Sequence, residues 1–297
     1  MRPTTKFALM DPGLLKAGLF RPYPRGGRSD PDAPTADGGL LVDGGGLFLS
    51  SPVALRADDL RILLALLALA AIQNPSRAGD TDENWRDAVD GPVAIGNSWE
   101  VEDPTVVVTR SRLCSEAGLQ VSGGAVRRVR AALDRIGAVT YSDRSATGPI
   151  HRLPPGDRRE RRLLWVSDEE QPGNLVLTLN ARFTPANSTS PYIRINLDES
   201  RHLGEMARLL HLRLCLIVRE GQTRKVGTDH LCDLIYGGAP ETGRQRSRRR
   251  EEIRKGMAEL EEALPSWTVT EHRRATFEIA RPSRETRRAL ELSQAVP

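Results

Sequence analysis

Five histidines, three cysteines and four tyrosines are the side chains from which this 297-residue chain would draw a nucleophile, a metal site or a general base. Cleavage of a DNA strand by a relaxase of the rolling-circle type needs two metal-binding histidines separated by one apolar residue, with a tyrosine as nucleophile. His151, His202, His211, His230 and His272 contain no such pair, so Tyr141, Tyr192 and Tyr236 read as packing residues. The paired acids Asp58-Asp59 and Glu251-Glu252 read as helix N-terminal charges. Cys114, Cys215 and Cys232 are odd in number and each sits in an apolar helical pattern, as reduced core thiols do. Zinc prefers closely spaced ligand pairs, and only His211 and Cys215 with His230 and Cys232 come loosely near, on a face crowded with leucine. No GxxxxGK[ST] motif occurs to cradle a nucleotide phosphate. The expectation is a protein that is not an enzyme, with no cofactor and no metal.

The chemistry that is concentrated belongs to arginine. Residues 244–255 hold seven Lys/Arg against two Glu, a local balance of +5 in a chain whose formal net charge is +4. Ile253, Met257, Leu260 and Leu264 recur at helical spacing and form one apolar stripe. Arg244, Arg248, Glu251 and Lys255 share the opposite side, and Arg246, Ser247 and Arg254 complete the polar surface. Arg249 and Arg250 fall nearer the stripe, which is consistent with first turns that overhang the domain and lie against phosphate. Guanidinium groups suit bidentate contact with guanine and phosphate, and Glu251 suits acceptance from a cytosine amino group. The competing interpretation of the segment alone is a solvated basic helix.

Such a helix needs a body to hold it. Residues 198–218 form one long, largely buried helix with Asp198 as N-cap. Gly227 and a capping Thr228 then open the short apolar helix DHLCDLIY, closed by Gly237-Gly238. Two helices, a glycine turn and a basic third helix make a helix-turn-helix. Trp267, Val269, Phe277 and Ile279 alternate as in two strands, so His272, Arg273 and Arg274 sit at the tip of a wing.

A second copy of the plan lies upstream without letter-for-letter repetition. Asp58-Asp59 open an apolar helix through Ile72, Val106 to Val108 form a strand, and residues 111–117 and 123–136 form two further helices. Val126, Val129, Leu133 and Ile136 face inward, while Arg127, Arg128 and Arg135 face outward. Residues 138–141 and 162–166 are the expected wing strands, joined by a loop containing Arg158, Arg159 and Arg161. The weaker charge leaves base reading and scaffold or partner-binding use level for this half.

The predicted architecture is therefore α+β, two tandem winged helix-turn-helix domains with a flexible N-terminal arm. The arm covers 1–39, the first domain 40–168, the second domain and main DNA reader 173–282, and a polar tail 283–297. Nine glycines and six prolines in the first fifty residues argue against a packed core there. Within that stretch, 40–43 and 47–50 read as a hairpin around Gly44-Gly45-Gly46 that docks on the first domain. The acidic run SDEEQPG at 167–173 marks the boundary between the halves. Only 4% of residues are aromatic, too few for a base-stacking platform that binds single strands. The apolar stretch 62–72 falls short of the roughly 20 residues a membrane span requires, and no export signal opens the chain. A cytoplasmic protein with no membrane partner is expected.

The chain resembles the RepC-type replication initiators of IncQ-type broad-host-range plasmids. The resemblance rests on AGLFR at 17–21, ADDLRIL at 57–63, VSGGA at 121–125, LTLN at 177–180 and ARLLHLRLC at 207–215. It continues through Leu231-Cys232, the Arg-rich helix at 244–254, WTVTE at 267–271 and FEIARP at 277–282. Residues 77–99, 145–159 and the tail after Pro282 depart from the pattern. The resemblance implies a bacterial, plasmid-encoded, iteron-binding protein that holds directly repeated sites in double-stranded origin DNA, bends it and helps open an adjacent AT-rich region. It also implies plasmid-encoded helicase and primase as partners, and self-association as a route to copy control. The competing expectation is a winged-helix repressor of its own operator; no heptad repeat or separate dimerisation element is visible to support it.

Overall fold

The computed structural model describes residues 4–16, 19–22, 40–43, 47–73, 103–143, 162–168, 174–180, 192–237, 242–272, 275–283 and 285–286. The chain divides into two compact units, Met1–Arg201 and His202–Pro297.

In the first unit, helix α2 (Ala57–Gln73) is buried almost continuously from Leu60 to Ala70. Each such leucine contributes roughly 1.5–3 kcal/mol by leaving water. Strand β4 (Thr105–Thr109) follows, then α3 (Arg110–Glu116) and α4 (Gly123–Gly137). Thr109 and Ser122 cap these two helices by accepting from the amides of Arg112 and Ala125. Strands β6 (Leu164–Asp168) and β7 (Asn174–Leu179) then close a three-stranded antiparallel sheet in the order β4-β7-β6. Two further sheets belong to this unit. Strand β1 (Phe7–Met10) pairs with β8 (Ile193–Asn196), and β2 (Leu40–Asp43) pairs with β3 (Leu47–Ser51), which pairs in turn with β5 (Thr140–Asp143).

Three expectations are corrected here. The N-terminal residues are not all arm: β1 and the short helix α1 (Pro12–Lys16) bury Ala8, Met10, Leu14 and Leu15 completely. Seven of the nine glycines among the first fifty residues fall after position 21, so a composition average over the stretch hides the apolar start. The strand pairing expected for a wing does not form either. Residues 140–143 pair with β3 and touch the expected partner only at the single bridge Thr140 to Arg162. The alternating segment NLVLTL offers β6 a full antiparallel partner across five residues, and a short loop costs less closure entropy than the long one. The acidic run thus begins inside β6, where Ser167 and Asp168 pair with β7 of the same unit, and the units divide at 201/202 instead. Arg158, Arg159 and Arg161 lie outside the described residues.

The second unit repeats the order α2, β4, α3, α4, β6, β7 without a counterpart of the intervening β5. Helix α6 (Glu205–Ile217), strand β9 (Thr223–Gly227), helices α7 (Thr228–Tyr236) and α8 (Gly243–Ala263), and strands β10 (Thr268–His272) and β11 (Thr276–Ala280) follow one another, with sheet order β10-β11-β9. Residues 198–218 are not one helix. Helix α5 (Leu197–His202) begins under Asn196, whose side chain accepts from the amides of Asp198 and Glu199, so Asn196 rather than Asp198 is the cap. The break falls at Gly204, whose extended backbone donates to Glu259 and whose missing side chain leaves room for that carboxylate. Thr228 does not cap α7 either; its amide and hydroxyl both donate to the carbonyl of Ala275, at 2.9 and 2.8 Å. Gly237 ends α7 in the left-handed region at φ 71°, where glycine carries no Cβ penalty.

Helix α8 packs on α6 through Ile253, Gly256, Met257 and Leu260. A Cβ at Gly256 would lie 2.7 Å from both Leu210 Cδ1 and Met206 Cγ, so glycine there permits the close approach of the two helices. Arg281 closes the other end of α6: it donates to the carbonyls of Cys215 and Val218 and lies 5.7 Å from the Trp267 ring centroid. A cation at a helix C-terminus satisfies carbonyls that have no partner within the helix.

Candidate nucleic-acid interface

Helix α8 starts under a capping box in which the Thr242 hydroxyl accepts from the Gln245 amide and the Gln245 side-chain oxygen accepts from the Thr242 amide. That cap fixes the first turn without any apolar anchor. Residues 242–248 are exposed, and the first buried side chain is Ile253. At 1.5 Å per residue this leaves roughly 15 Å of helix with a solvent-facing basic surface.

The structure sorts the predicted contacts by their partners. Arg244 and Arg246 are exposed and, among the described residues, form no ion pair; Ser247 is exposed beside them. Arg248 pairs with Glu252 at 3.1 Å, and the other oxygen of Glu252 accepts from Tyr236 Oη at 2.5 Å. Glu251, expected as an acceptor from cytosine, is paired with Lys255 at 3.4 Å. Arg254 reaches Glu271 on β10 at 3.0 Å.

Arg249 and Arg250 do not overhang the domain. Arg250 makes a two-pronged contact with Asp229 on α7, at 2.7 and 2.6 Å, and Arg249 stacks 4.7 Å from the Tyr236 ring centroid. The hydrogen bonds from Arg250 hold the Asp229 carboxyl below the usual carboxylate range. Their position near the apolar stripe is explained by α7, which meets that side of the helix with an acid and an aromatic ring. Arg273 and Arg274 lie outside the described residues. The strands that flank them are described, and His272 at their base contacts Glu278 at 2.8 Å, which also takes Lys225 at 3.5 Å.

The first unit presents less. Arg127 is exposed without an ion pair among the described residues, and Arg128 lies 3.7 Å from Asp58. Arg135 is corrected: its guanidinium binds Asp59 at 2.7 Å, the two side chains being 13% and 0% exposed. It faces the start of α2, because the last turn of α4 packs there, and it neutralises a carboxylate removed from water. Two residues the sequence reading passed over are Arg130 and Arg110, both without ion pairs among the described residues. Arg130 lies three residues after Arg127 and four before Asp134, a spacing that already places all three on neighbouring turns.

A second hub went unnoticed in the sequence. Glu116, fully buried, accepts from the amides and hydroxyls of Thr4 and Thr5 and pairs with Arg112 and Arg201. Burial alone would raise its pKa, but the hydrogen bonds from Thr5 and Thr4 outweigh it and bring the carboxyl to about 2. Only Arg112 is local, one turn before Glu116; the threonine donors lie 111 and 112 residues away and Arg201 lies 85 away, so no window of sequence contains the site.

Two of the candidate nucleophiles are held protonated. Burial, then Asp229 and Asp233, push the Cys232 thiol up to about 11, and burial with the Glu252 hydrogen bond raises the Tyr236 phenol above its ordinary value. His211 Nε2 lies 3.6 Å from Cys215 Sγ and edge-on to Trp267, inside the core. Among the described residues no three His, Cys, Asp or Glu converge as a metal site, and no described helix is long and apolar enough to cross a membrane.

Residues 6–283 match the family model for replication protein C (RepC). Comparison with curated proteins gives no match. Among solved structures the chain is similar to the crystal structure of selenomethionine derivatives of domains 2 and 3 of RctB. The identity is 12%, the TM-score 0.48, and the match covers 91% of this chain and 97% of that one.

Proposed function

Because the chain belongs to the replication protein C family, we propose that it is a plasmid replication initiator of the IncQ type that binds directly repeated iterons in double-stranded origin DNA. On this reading it bends the DNA, helps open an adjacent AT-rich region and recruits helicase and primase, without catalysing a reaction itself. It acts in the cytoplasm, and self-association limits copy number.

The two repeats of the order helix, strand, helix, helix, strand, strand are two winged helix-turn-helix modules in tandem. The second module is the main reader. One observation carries the proposal: the first turns of α8 are capped and exposed, and they hold Arg244 and Arg246 without ion pairs among the described residues. Free guanidinium groups at a positive helix end lose no internal partner when they meet phosphate or guanine. Arg248, Arg254 and Lys255 exchange surface ion pairs for phosphate at small cost. Arg249 and Arg250 set the angle of the helix on α7 instead. In the first module Arg127 and Arg128 supply backbone contacts. Direct repeats suit a chain with two modules, since linking them raises effective concentration without dimer symmetry.

Footprinting on the parental replicon's origin tests this. The expected result is protection of several direct repeats with permanganate-reactive thymines beside them. A single palindromic footprint without opening would overturn initiation in favour of a repressor.

A further inference from the structure

The third helices of the two units superpose by burial. Val129, Ala132, Leu133 and Ile136 in α4 have the spacing of Ile253, Gly256, Met257 and Leu260 in α8. By that register Arg130 holds the place of Arg254. The hairpins register likewise: Leu164 opposite Leu179 corresponds to Val269 opposite Ile279, and two residues further Val166 opposite Leu177 corresponds to Glu271 opposite Phe277. In the second unit Arg254 and Glu271 join, so the groove between third helix and hairpin is bridged by an ion pair. In the first unit the carboxylate is replaced by Val166, and no bridge forms.

What remains there is an open cleft of about 150 Å³ lined by Val129, Leu133, Val166 and Leu175, with Arg110, Arg130 and Asp134 at its rim. Val166 is 39% exposed although its strand neighbours Leu164 and Leu177 are fully buried. A space of this size takes one leucine- or phenylalanine-sized side chain. Among the described residues neither rim arginine has an ion pair, so both are available to carboxylates. The exposed Val166 side chain offers nothing to a phosphate backbone and Asp134 in the same lining repels one, which argues for a protein occupant over DNA.

We propose that this cleft of the first unit docks a segment of a partner protein, one that inserts a single leucine-sized or aromatic side chain flanked by carboxylates. The carboxylates pair with Arg110 and Arg130. Asp134 accepts from an amide or a basic side chain of the same segment. The proposal is independent of how α8 meets DNA.

The test uses the full chain and a fluorescein-labelled helical peptide with leucines along one face and glutamates beside them, against its lysine-for-glutamate counterpart. Val166→Glu is the central variant, because it installs opposite Arg130 the carboxylate that bridges the other unit. Arg110→Glu with Arg130→Glu, both on the surface, is the second variant if the first fails to fold. The glutamate peptide is expected to bind the wild type in a salt-sensitive way and the lysine peptide not at all. Either variant should weaken the glutamate peptide by about tenfold or more, one lost anchor or charge-assisted contact, with affinity for duplex DNA unchanged under Val166→Glu. Equal binding of both peptides, or indifference to Val166→Glu, overturns the proposal. Weaker DNA binding by Val166→Glu would assign the cleft to DNA instead. Conversion of a dimer to a monomer by that variant in sedimentation would assign it to a second copy of this chain.

Discussion

The two units share a helix, strand, helix, helix and a two-stranded hairpin in that order, interrupted in the first by β5, and they place charge in opposite ways. The first buries acids, Asp11, Asp59 and Glu116, and turns arginines inward to meet the last two, while Asp11 accepts from the Gly13 amide; the second buries arginines, Arg208, Arg213 and Arg281, and satisfies Arg281 with helix-end carbonyls. Its third helix accordingly keeps cations outside, whereas α4 commits Arg135 to Asp59. Similar folds thus yield one exposed basic helix and one whose charge is partly internal. Sign and number of arginines alone do not distinguish them; the location of the counter-charge does.

The comparison breaks most visibly at the buried pair. Arg135→Ala leaves Asp59 uncompensated in the interior and should cost the first unit about 3–5 kcal/mol, whereas Arg127→Ala should stay within roughly 0.5 kcal/mol. Equal effects in thermal or denaturant unfolding would return Arg135 to the surface. The apolar side of the second unit comes next. Met257→Ala should destabilise it by about 2–5 kcal/mol through lost burial and a cavity. Gly256→Val should cost about 1–3 kcal/mol by overpacking Leu210 and Met206. A melt that ignores both would dissolve the α6 to α8 contact.

Acid should separate the units. The folded pKa of Glu116 is depressed from 4.5 to about 2, so its contribution is complete above about pH 4.5 and is lost as pH falls toward 2. The second unit has no buried carboxylate among its described residues, and its depressed carboxyls, Asp229 and Glu278, are surface groups whose ion pairs contribute little. The first unit should therefore lose stability in that window, followed by tryptophan or amide-exchange probes, and Glu116→Gln should flatten the dependence. The smallest effect is read in binding. Arg244→Ala with Arg246→Ala should lower the salt slope of DNA binding by up to about two, one per phosphate contact. Arg249→Ala with Arg250→Ala should perturb stability first. A salt slope unmoved by the first pair would remove the exposed turns of α8 from the interface.

Much of the architecture was legible in residue order. The stripe Ile253, Met257, Leu260, Leu264 is buried, strands 40–43 and 47–51 pair as the expected hairpin, and the Trp267 to Ile279 strands form. These features are periodic and local, so a single window contains the information. The misreadings share the opposite property. Strand β6 took NLVLTL as its partner because strand choice is a competition among segments, and periodicity ranks segments without pairing them. The helix break at Gly204 depends on Glu259, 55 residues away. In the candidate interface, the exposed faces of Arg244 and Arg248 followed from phase, but the partners of Arg249, Arg250 and Arg135 did not, because each counter-charge lies on another helix.

The amino-acid order alone determined that cations are concentrated on one amphipathic helix with an apolar flank, since composition and a 3.6-residue period are properties of the chain itself. Only tertiary structure decided which of those cations are free. An ion pair is a distance between side chains remote in sequence, and Asp229, Glu271 and Asp59 acquire theirs only when the helices and strands that carry them are packed.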